Sequence, residues 1–198
     1  MPRETRTITA EDIMPLDLFE TIRPEKRQDN ILRKKFRRLA IGPHATIIFE
    51  NWDSMWWQVQ EMLRVEKGGA EQLADELAAY NPMIPNGREL TACLFFEIDD
   101  PVKRGGFLNQ IGGVDAHIFL QIGDARVNAV AEGDVERTNE AGKASAVHFL
   151  HFPMNDAQIA AWRDGVTGPV LVGIDHPGYG HITMIGADVR NELARDFA

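Results

Sequence analysis

Six histidines are the residues of this chain whose spacing is most easily tested for chemistry, because neutral imidazole is a common ligand of transition metals. Two of them, His148 and His151, stand three positions apart in the sequence SAVHFLHF, residues 145–152. The apolar alternation of this segment predicts a β-strand, on which residues three apart point to opposite faces. The pair is therefore a weak metal motif, since the two rings cannot readily reach one ion.

A second cluster lies in IDHPGYGH, residues 174–181, at the end of a predicted strand. Pro177 favours an extended backbone at His176, and the two glycines of the segment permit a tight loop. Such a loop would bring His176 together with Asp175, Tyr179 and His181. Two interpretations stay open, a glycine-shaped loop with a hydrogen-bonded histidine, or a ligand or acid–base role for His176.

Carboxylates add a third candidate. Glu97 lies on the more polar side of the predicted strand TACLFFEID, residues 91–99, whose other side is wholly apolar. If this strand neighboured the one carrying His117, a pocket could be lined by Glu97, His117 and one of His148 and His151. A buried carboxylate beside a histidine can bind metal or move protons. The alternative is an ordinary sheet surface that faces solvent.

The elements that must position these residues begin with a clear helix. Apolar residues recur at helical spacing from Trp52 to Glu66, and Asn51 is a plausible cap. The same helix carries Glu61 and Arg64, which are spaced to form an ion pair along one side. That pairing is a common structural feature, but the helix holds enough polar residues to line a site or to contact a partner.

Charge is distributed unevenly along the chain. The net charge is −9, yet residues 23–38, here called the basic segment, contain eight basic and two acidic residues, so the segment carries +6 and the remainder −15. Its cations Arg33, Lys34, Arg37 and Arg38 are candidate contacts for a partner or an anion. Alternatively, the segment is an amphipathic helix that pairs with the protein's own acidic surface. Nucleic-acid binding is disfavoured because the remaining acidic surface would repel phosphates.

Cys93 is the single cysteine, so an internal disulfide and a multi-cysteine metal site are excluded. It lies within a predicted strand, where a packed small side chain is a better interpretation than a nucleophile. No phosphate-binding loop, dinucleotide fingerprint or G-x-S-x-G motif is present. Without a signal-peptide pattern or a membrane-spanning run, we expect a soluble cytoplasmic protein.

The pattern of elements predicts an α+β fold, with a helical N-terminal third packed on a mainly antiparallel sheet and a closing C-terminal helix. Helices are expected from Thr9 to about Phe19, from Pro24 through the basic segment, and over 52–66, 70–80 and 189–197, with a further brief helix capped by Asn155 and containing Ile159 and Trp162. Strands are expected over 45–50, 91–99, 115–123, 125–131, 145–152 and 169–175. We predict one domain, residues 1–198, although 1–80 and 90–198 could form a helical lobe and a sheet-rich lobe.

Several stretches resemble a bacterial family of similar length that is known only as a domain of unknown function. They are KKFRRLAIGPHATIIFEN (34–51), WQVQEMLRVE (57–66), ELAAYNPMIPNG (76–87), SAVHFLHF (145–152) and GIDHPGY (173–179). The resemblance covers nearly the whole chain in the same order. It implies a gene setting near rubrerythrin-like and iron–sulfur reductase-like proteins, which is an association and not a mechanism.

The resemblance also singles out residues. It lends weight to Arg38, Glu50, Gln58, Gln60, Glu61, Arg64, Glu66, Glu97, His148, His176 and Tyr179. Of these, the candidate site comprises Glu61, Arg64, Glu97, His148, His176 and Tyr179. The chain departs from the expected pattern at His44 and His151, where an Asn-like residue and an arginine are expected.

Three functions follow from these observations. The first is an accessory or interaction protein in a redox or oxidative-stress module, with a redox-protein partner on the basic segment. The second is a metal-dependent enzyme or metal-binding protein, in which a divalent transition metal is held by His148, His176, Glu97 and Glu61. The third is a small-molecule-binding protein, and whether the protein is an enzyme stays open.

Overall fold

The computed structural model describes residues 5–133, 142–165 and 168–198, within which the chain forms two antiparallel sheets. The first sheet contains Arg38–Ile41 (β1), Ala45–Phe49 (β2), Glu89–Phe96 (β3), Val130–Ala131 (β6) and Val147–Pro153 (β7), in the order β1-β2-β3-β7-β6. The second contains Ile118–Ile122 (β4), Ala125–Asn128 (β5), Val170–His176 (β8) and Tyr179–Met184 (β9), in the order β5-β4-β8-β9.

The two sheets pack face to face around one core. Alternate residues of each strand are apolar, so each sheet has one face that is excluded from water. Leu94 and its cross-strand neighbour Ile47 lie on that face of the five-stranded sheet, and Leu120 and Val172 are paired on that of the four-stranded sheet. All four belong to a single buried cluster, so the sheets share a core.

Six α-helices accompany the sheets in the described residues: Leu16–Lys34 (α1), Trp52–Glu66 (α2), Gly69–Tyr80 (α3), Pro101–Gln110 (α4), Asp156–Asp164 (α5) and Ala187–Leu193 (α6). Helices α2 and α3 cover the other face of the five-stranded sheet, where Met55 and Leu77 cluster with Cys93 and Phe149. Helix α1 in turn packs on α2, and together they build a helical layer over this sheet.

This arrangement confirms the predicted α+β class. The strands are antiparallel, helices dominate the N-terminal third, and α6 lies near the end of the chain. The number of sheets differs from the prediction, because the sequence indicated one sheet and the strands form two. Strand β2 pairs with β3 across residues 81–88, which favours a single domain, although the domain assignment stays a prediction. No helix in the described ranges combines the length and apolarity needed to cross a membrane.

The first helices were predicted wrongly. Instead of a helix ending near Phe19 and another beginning at Pro24, a short 3-10 turn at Ala10–Asp12 precedes α1, which continues through Pro24. A proline inside a helix removes one backbone hydrogen bond and costs about 3 kcal/mol. Burial of Phe19 against the rings of Trp56 and Trp57 stabilises the turns before the proline.

Three elements were not predicted from the sequence, namely α4, β1 and β9. Helix α4 contains Gly105 and Gly106, which weaken its signal, while the Asp100 side chain caps its first turn. Strand β1 begins at Arg38, the last residue of the basic segment, where the sequence suggested that the helix continues. Strand β9 lies in the stretch interpreted as a glycine-shaped loop, since His176 and Tyr179 face each other across a hairpin.

Candidate functional site

His148 and His151 lie on opposite faces of β7, as the period of two indicates. His148 is 1% exposed in the core, with its Nε2 3.0 Å from the carbonyl oxygen of Ser145. His151 lies on the other face between two carboxylates, with Nδ1 3.0 Å from Glu89 and Nε2 2.7 Å from Glu132. Each ring is therefore held by its own neighbours.

His176 is bound within its own hairpin and the adjoining loop. The backbone N–H of Gly178 donates to Nδ1 at 3.0 Å, and Nε2 lies 3.2 Å from the carbonyl oxygen of Gly112. This pattern places the proton on Nε2, so that both nitrogens are engaged. The interpretation of a hydrogen-bonded histidine in a glycine-containing turn accounts for these contacts.

Tyr179 fastens the β8–β9 hairpin to the β1–β2 turn. Its hydroxyl donates to the carbonyl oxygen of Ile41 at 2.6 Å and accepts from the backbone N–H groups of His44 and Ala45 at 3.0 and 3.1 Å. Three hydrogen bonds to backbone at one buried oxygen indicate a structural role.

The expected pocket of Glu97, His117 and a β7 histidine does not form, because β3 and β4 belong to different sheets. His117 instead places Nδ1 3.1 Å from Asp175, and Arg126 donates to the other carboxylate oxygen at 2.7 Å. The hydrogen bond from Arg126, followed by that from His117, holds the pKa of Asp175 below its ordinary value. Glu97 accepts from Thr46 at 2.6 Å and pairs with Arg38 at 3.1 Å.

Glu61 and Arg64 do not pair with each other along α2. Glu61 accepts from Arg23 of α1 at 2.7 Å, and Arg64 donates to Glu20 of α1 at 2.7 Å. The two ion pairs join neighbouring helices, because α1 crosses α2 on the side that carries both residues. Both side chains of the predicted site therefore hold the helical layer together.

The four proposed metal ligands, Glu61, Glu97, His148 and His176, have separate surroundings. Each makes the contacts given above with a different set of residues. Across the described ranges, no group of three or more His, Cys, Asp or Glu side chains is arranged to hold a metal ion. The structure does not bring these four residues together.

Much of the basic segment pairs within the chain. Arg23, Lys26, Arg33, Arg37 and Arg38, five of its eight cations, each lie within 4.0 Å of a carboxylate. Arg37 is only 2% exposed and forms a bidentate pair with Asp196, with both N–O distances 2.8 Å. These contacts fit an amphipathic segment satisfied by the protein's own acidic residues.

Polar side chains do converge at a different place, beneath the helical layer. A cavity of about 190 Å³ lies between α1, α2, the end of α3 and the outer face of the five-stranded sheet. Its polar lining comprises Asn30, Lys34, Glu50, Ser54, Gln58, Tyr80 and Cys93. We call it the Glu50 cavity. Lys34 is an exposed residue, so it marks the side on which the cavity reaches solvent.

Glu50 is the central group of this cavity. It follows β2 directly, and its backbone N–H donates to the carbonyl oxygen of Thr91 at 2.8 Å, which extends the β2–β3 pairing. The residue is 7% exposed, and burial raises the pKa of its carboxyl group, although Ser54, Cys93 and the charge of Lys34 act in the opposite direction. A protonated carboxyl can donate one hydrogen bond as well as accept.

Cys93 and Tyr80 share this environment. Burial, followed by the proximity of Glu50, raises the pKa of the Cys93 thiol strongly, so the neutral thiol is favoured and a nucleophilic thiolate is not. Tyr80 is half-buried, and burial raises the pKa of its hydroxyl. The Gln58 amide nitrogen lies 3.4 Å from the Tyr80 oxygen.

Sequence reasoning gave Glu50 and Gln58 weight only through resemblance. A stronger signal was present, since Thr46, Ile48 and Glu50 alternate on one face of β2, the face covered by the helical layer. Glu50 stands at the end of that row, two residues before the helix that starts at Trp52. The period of two therefore assigns Glu50 to the face that the helical layer covers in the structure.

Comparisons with known proteins agree with the resemblance seen in the sequence. Residues 7–197 match a family described as "Protein of unknown function (DUF3501)". A crystal structure of a novel protein of unknown function from Burkholderia pseudomallei K96243 is similar, with 35% identity, a TM-score of 0.89, and coverage of 97% of this chain and 100% of that one. No curated protein gives a significant match. The chain belongs to the DUF3501 family of proteins of unknown function.

Proposed function

We propose that this protein binds a small organic molecule in the Glu50 cavity. The observation that carries the proposal is a buried carboxyl group that lines a cavity together with several further polar side chains. Burying such groups without partners is costly, so they are normally satisfied by protein, water or a ligand. Concave sites with a few convergent polar groups and a shifted pKa are the usual form of small-molecule sites.

The size of the cavity supports a ligand of a few heavy atoms. An apolar cavity of about 150 Å³ can hold benzene, and the volume here is about 190 Å³. Apolar side chains form the remainder of the wall, among them Met55, Trp57 and Phe149. The site therefore combines an apolar enclosure with directed hydrogen-bonding groups.

The two other functions derived from sequence have less support. Docking of a redox partner depends on the basic segment, but five of its cations pair within the chain. Neither the family match nor the similar crystal structure carries a redox activity in its description. A metal site depended on four ligands that the fold separates. Small-molecule binding depends on residues that the fold brings together.

The proposal is tested by filling the cavity. Val147 lines it, and Val147→Phe would occupy part of its volume, whereas Val102→Phe places the same side chain at a position that is 82% exposed. A library of small neutral, anionic and cationic compounds is screened by thermal shift, and hits are measured by calorimetry. A ligand at about 100 times its Kd stabilises the folded state by about 2.7 kcal/mol.

We expect hits that bind wild type and Val102→Phe equally and lose binding in Val147→Phe. Tyr80→Phe serves as a second, milder variant in case Val147→Phe does not fold, and it should weaken binding about 3- to 10-fold by removing one hydrogen bond. Hits that bind all variants equally, or a screen without hits, would overturn the proposal.

A further inference from the structure

We infer that a second site, separate from the Glu50 cavity, binds the phosphate monoester of a small organic molecule. The site is a cavity of about 280 Å³ between the end of α1, the start of α2 and the last residues of the chain. Four arginines line it, namely Arg6, Arg33, Arg37 and Arg195, and we call it the arginine cavity.

A buried ion-pair network holds two of these arginines in place. Arg37 pairs with both carboxylate oxygens of Asp196 at 2.8 Å and with Glu192 at 3.1 Å. The backbone carbonyl oxygen of Asp196 accepts from Arg6 at 2.7 Å, and the second carboxylate oxygen of Glu192 accepts from Arg195 at 3.1 Å. Arg6 and Arg195 are thus fixed beside the cavity by contacts with the network that Arg37 forms.

Three of the arginines have unfilled hydrogen-bond donors. Arg6 uses only Nη1, which donates to the carbonyl oxygens of Pro85 and Asp196. Arg33 and Arg195 also use only Nη1, in single bonds of 3.2 and 3.1 Å. Within the described ranges, the Nε and Nη2 groups of these three side chains have no hydrogen-bond partner. A guanidinium group is always charged and has five N–H donors but no acceptor.

The carboxylates of the lining do not fill these donors. Asp196 and Glu192 already accept at both oxygens from Arg37 and Arg195. The third acid, Asp53, has a side chain that is 42% exposed, and its Oδ2 lies 3.9 Å from Nη2 of Arg33, which is too long for a hydrogen bond. Four cations therefore face three anions.

The excess positive charge selects an anion over a neutral or cationic ligand. The pKa of Arg33 is lowered by burial and also by the charge of Arg37, although Asp53 acts in the opposite direction. Two like charges held near each other in a partly buried place are costly, and an anion bound beside them would offset that cost. The unfilled N–H groups supply the hydrogen bonds that such an anion would accept.

The arrangement of the donors favours phosphate over carboxylate. Arg6, Arg33 and Arg195 belong to three separate segments, the N-terminal residues, α1 and the C-terminal residues. A phosphate monoester has three terminal oxygens in a tetrahedral arrangement, so it can accept from three sides, whereas a carboxylate has two oxygens in one plane. Arginine is the residue that most often recognises phosphate through paired hydrogen bonds.

The apolar part of the lining indicates an organic group on the phosphate. Phe36, Ile84 and Pro85 contribute apolar surface to the cavity. Phe36 is 37% exposed although it is a large apolar residue, so a ligand could cover its ring. A benzene ring needs about 150 Å³, and the cavity of about 280 Å³ has room for a ring of that size beside a phosphate group.

The test measures the binding of phenyl phosphate, benzoate and inorganic phosphate to the full chain by calorimetry. We expect phenyl phosphate to bind most tightly of the three. Arg33→Met should weaken it about 10- to 100-fold, because charge-assisted hydrogen bonds are lost. Arg27→Met is the matched control, since this exposed arginine of α1 lies outside the cavity lining and should leave binding unchanged.

Two further variants keep the test informative if Arg33→Met does not fold. Arg195→Met alters a side chain that is 54% exposed, so the fold should tolerate it, and phenyl phosphate should bind about 3- to 10-fold more weakly. Val147→Phe fills part of the Glu50 cavity, which shares neither Arg33 nor Arg195 with the arginine cavity, and should leave phenyl phosphate binding unchanged.

Several results would overturn the inference. They are a lack of phenyl phosphate binding to wild type, tighter binding of benzoate, and equal effects of Arg33→Met and Arg27→Met. Inorganic phosphate that binds as tightly as phenyl phosphate would show that the site holds no organic group. Loss of phenyl phosphate binding in Val147→Phe would place the ligand in the Glu50 cavity instead. A library screen without hits for the Glu50 cavity would leave this inference standing, so the two proposals fail separately.

Discussion

At the scale of single residues, the chemistry depends on which partner reaches each group. The period of two correctly separates His148 from His151, because side-chain direction along a strand is a local property. The partners of His151 could not be predicted, since Glu89 and Glu132 come from different neighbouring segments. The expected pocket with His117 does not form for a similar reason, because His117 directly precedes β4, which belongs to the other sheet.

Glu50 gives a prediction about stability and pH. Its pKa is raised in the folded state by burial, so the folded protein binds a proton more tightly than the unfolded chain. Wild type should therefore lose stability as pH rises from the unfolded pKa of the group through its folded pKa. Glu50→Gln, which cannot ionise, should be more stable than wild type by a margin that widens over this range. Urea unfolding between pH 4.5 and 8 measures the margin, and a constant or narrowing margin would contradict the burial argument.

His151 gives a second prediction about how stability depends on pH. Its pKa is raised mainly by the hydrogen bond to Glu89 and also by Glu132, although burial acts against them. The stabilisation is thus fully present below the unfolded pKa of the imidazole and is lost as pH rises through the folded pKa. His151→Gln should remove this dependence, and His151→Arg should replace it with a charge that persists to high pH. The free energy of unfolding from pH 5 to 9 measures both effects, and a parallel decline in all three proteins would refute the assignment to His151.

At the scale of elements, the helical layer was only partly predictable. The apolar stripe of α2 identified its bounds and its Asn51 cap, since both signals are local. Helix α1 was divided at Pro24 because the cost of an internal proline is visible in sequence and the burial of Phe19 is not. The cavity depends on this layer, so its place became apparent only once α1, α2 and the sheet were assembled.

Gln60 carries a prediction for the buried side of α2. It is 0% exposed, and neither its amide oxygen nor its amide nitrogen has a hydrogen-bond partner among the described residues. An unsatisfied buried polar group costs about 1–3 kcal/mol, so Gln60→Met, of similar length and without the amide, should stabilise the fold by about that amount. Chemical denaturation tests it, with Gln28→Met at an exposed position of α1 as the control. Destabilisation by Gln60→Met beyond that of the control would show that the amide has a stabilising contact.

At the scale of the whole molecule, much of the positive charge of the basic segment pairs with carboxylates of the same chain. Sequence left open whether the basic segment is neutralised by this chain or by another, because pairing across long separations has no local signal. Arg37 shows why, since its partner Asp196 lies 159 positions away. Arg37 also donates to Glu192 at 3.1 Å and to the carbonyl oxygen of Glu50 at 3.2 Å. It therefore connects the end of α1, the last helix and the strand that leads into the cavity.

The last prediction compares two adjacent arginines of the basic segment. Arg37 and Asp196 are almost fully buried, so Arg37→Met leaves a carboxylate in the interior without its counter-charge, and loss of one partner of a buried pair costs about 3–5 kcal/mol. Arg38 and Glu97 are about half exposed, so Arg38→Met should cost less than about 1 kcal/mol. Urea unfolding at neutral pH gives both values. Arg37 donates to the backbone carbonyl oxygen of Glu50. Arg37→Met should therefore also weaken binding in the Glu50 cavity, whereas Arg38→Met should not. If the two substitutions lower the free energy of unfolding equally, the basic segment contributes only surface charge. The proposal that Arg37 connects the two ends of the chain would then be wrong.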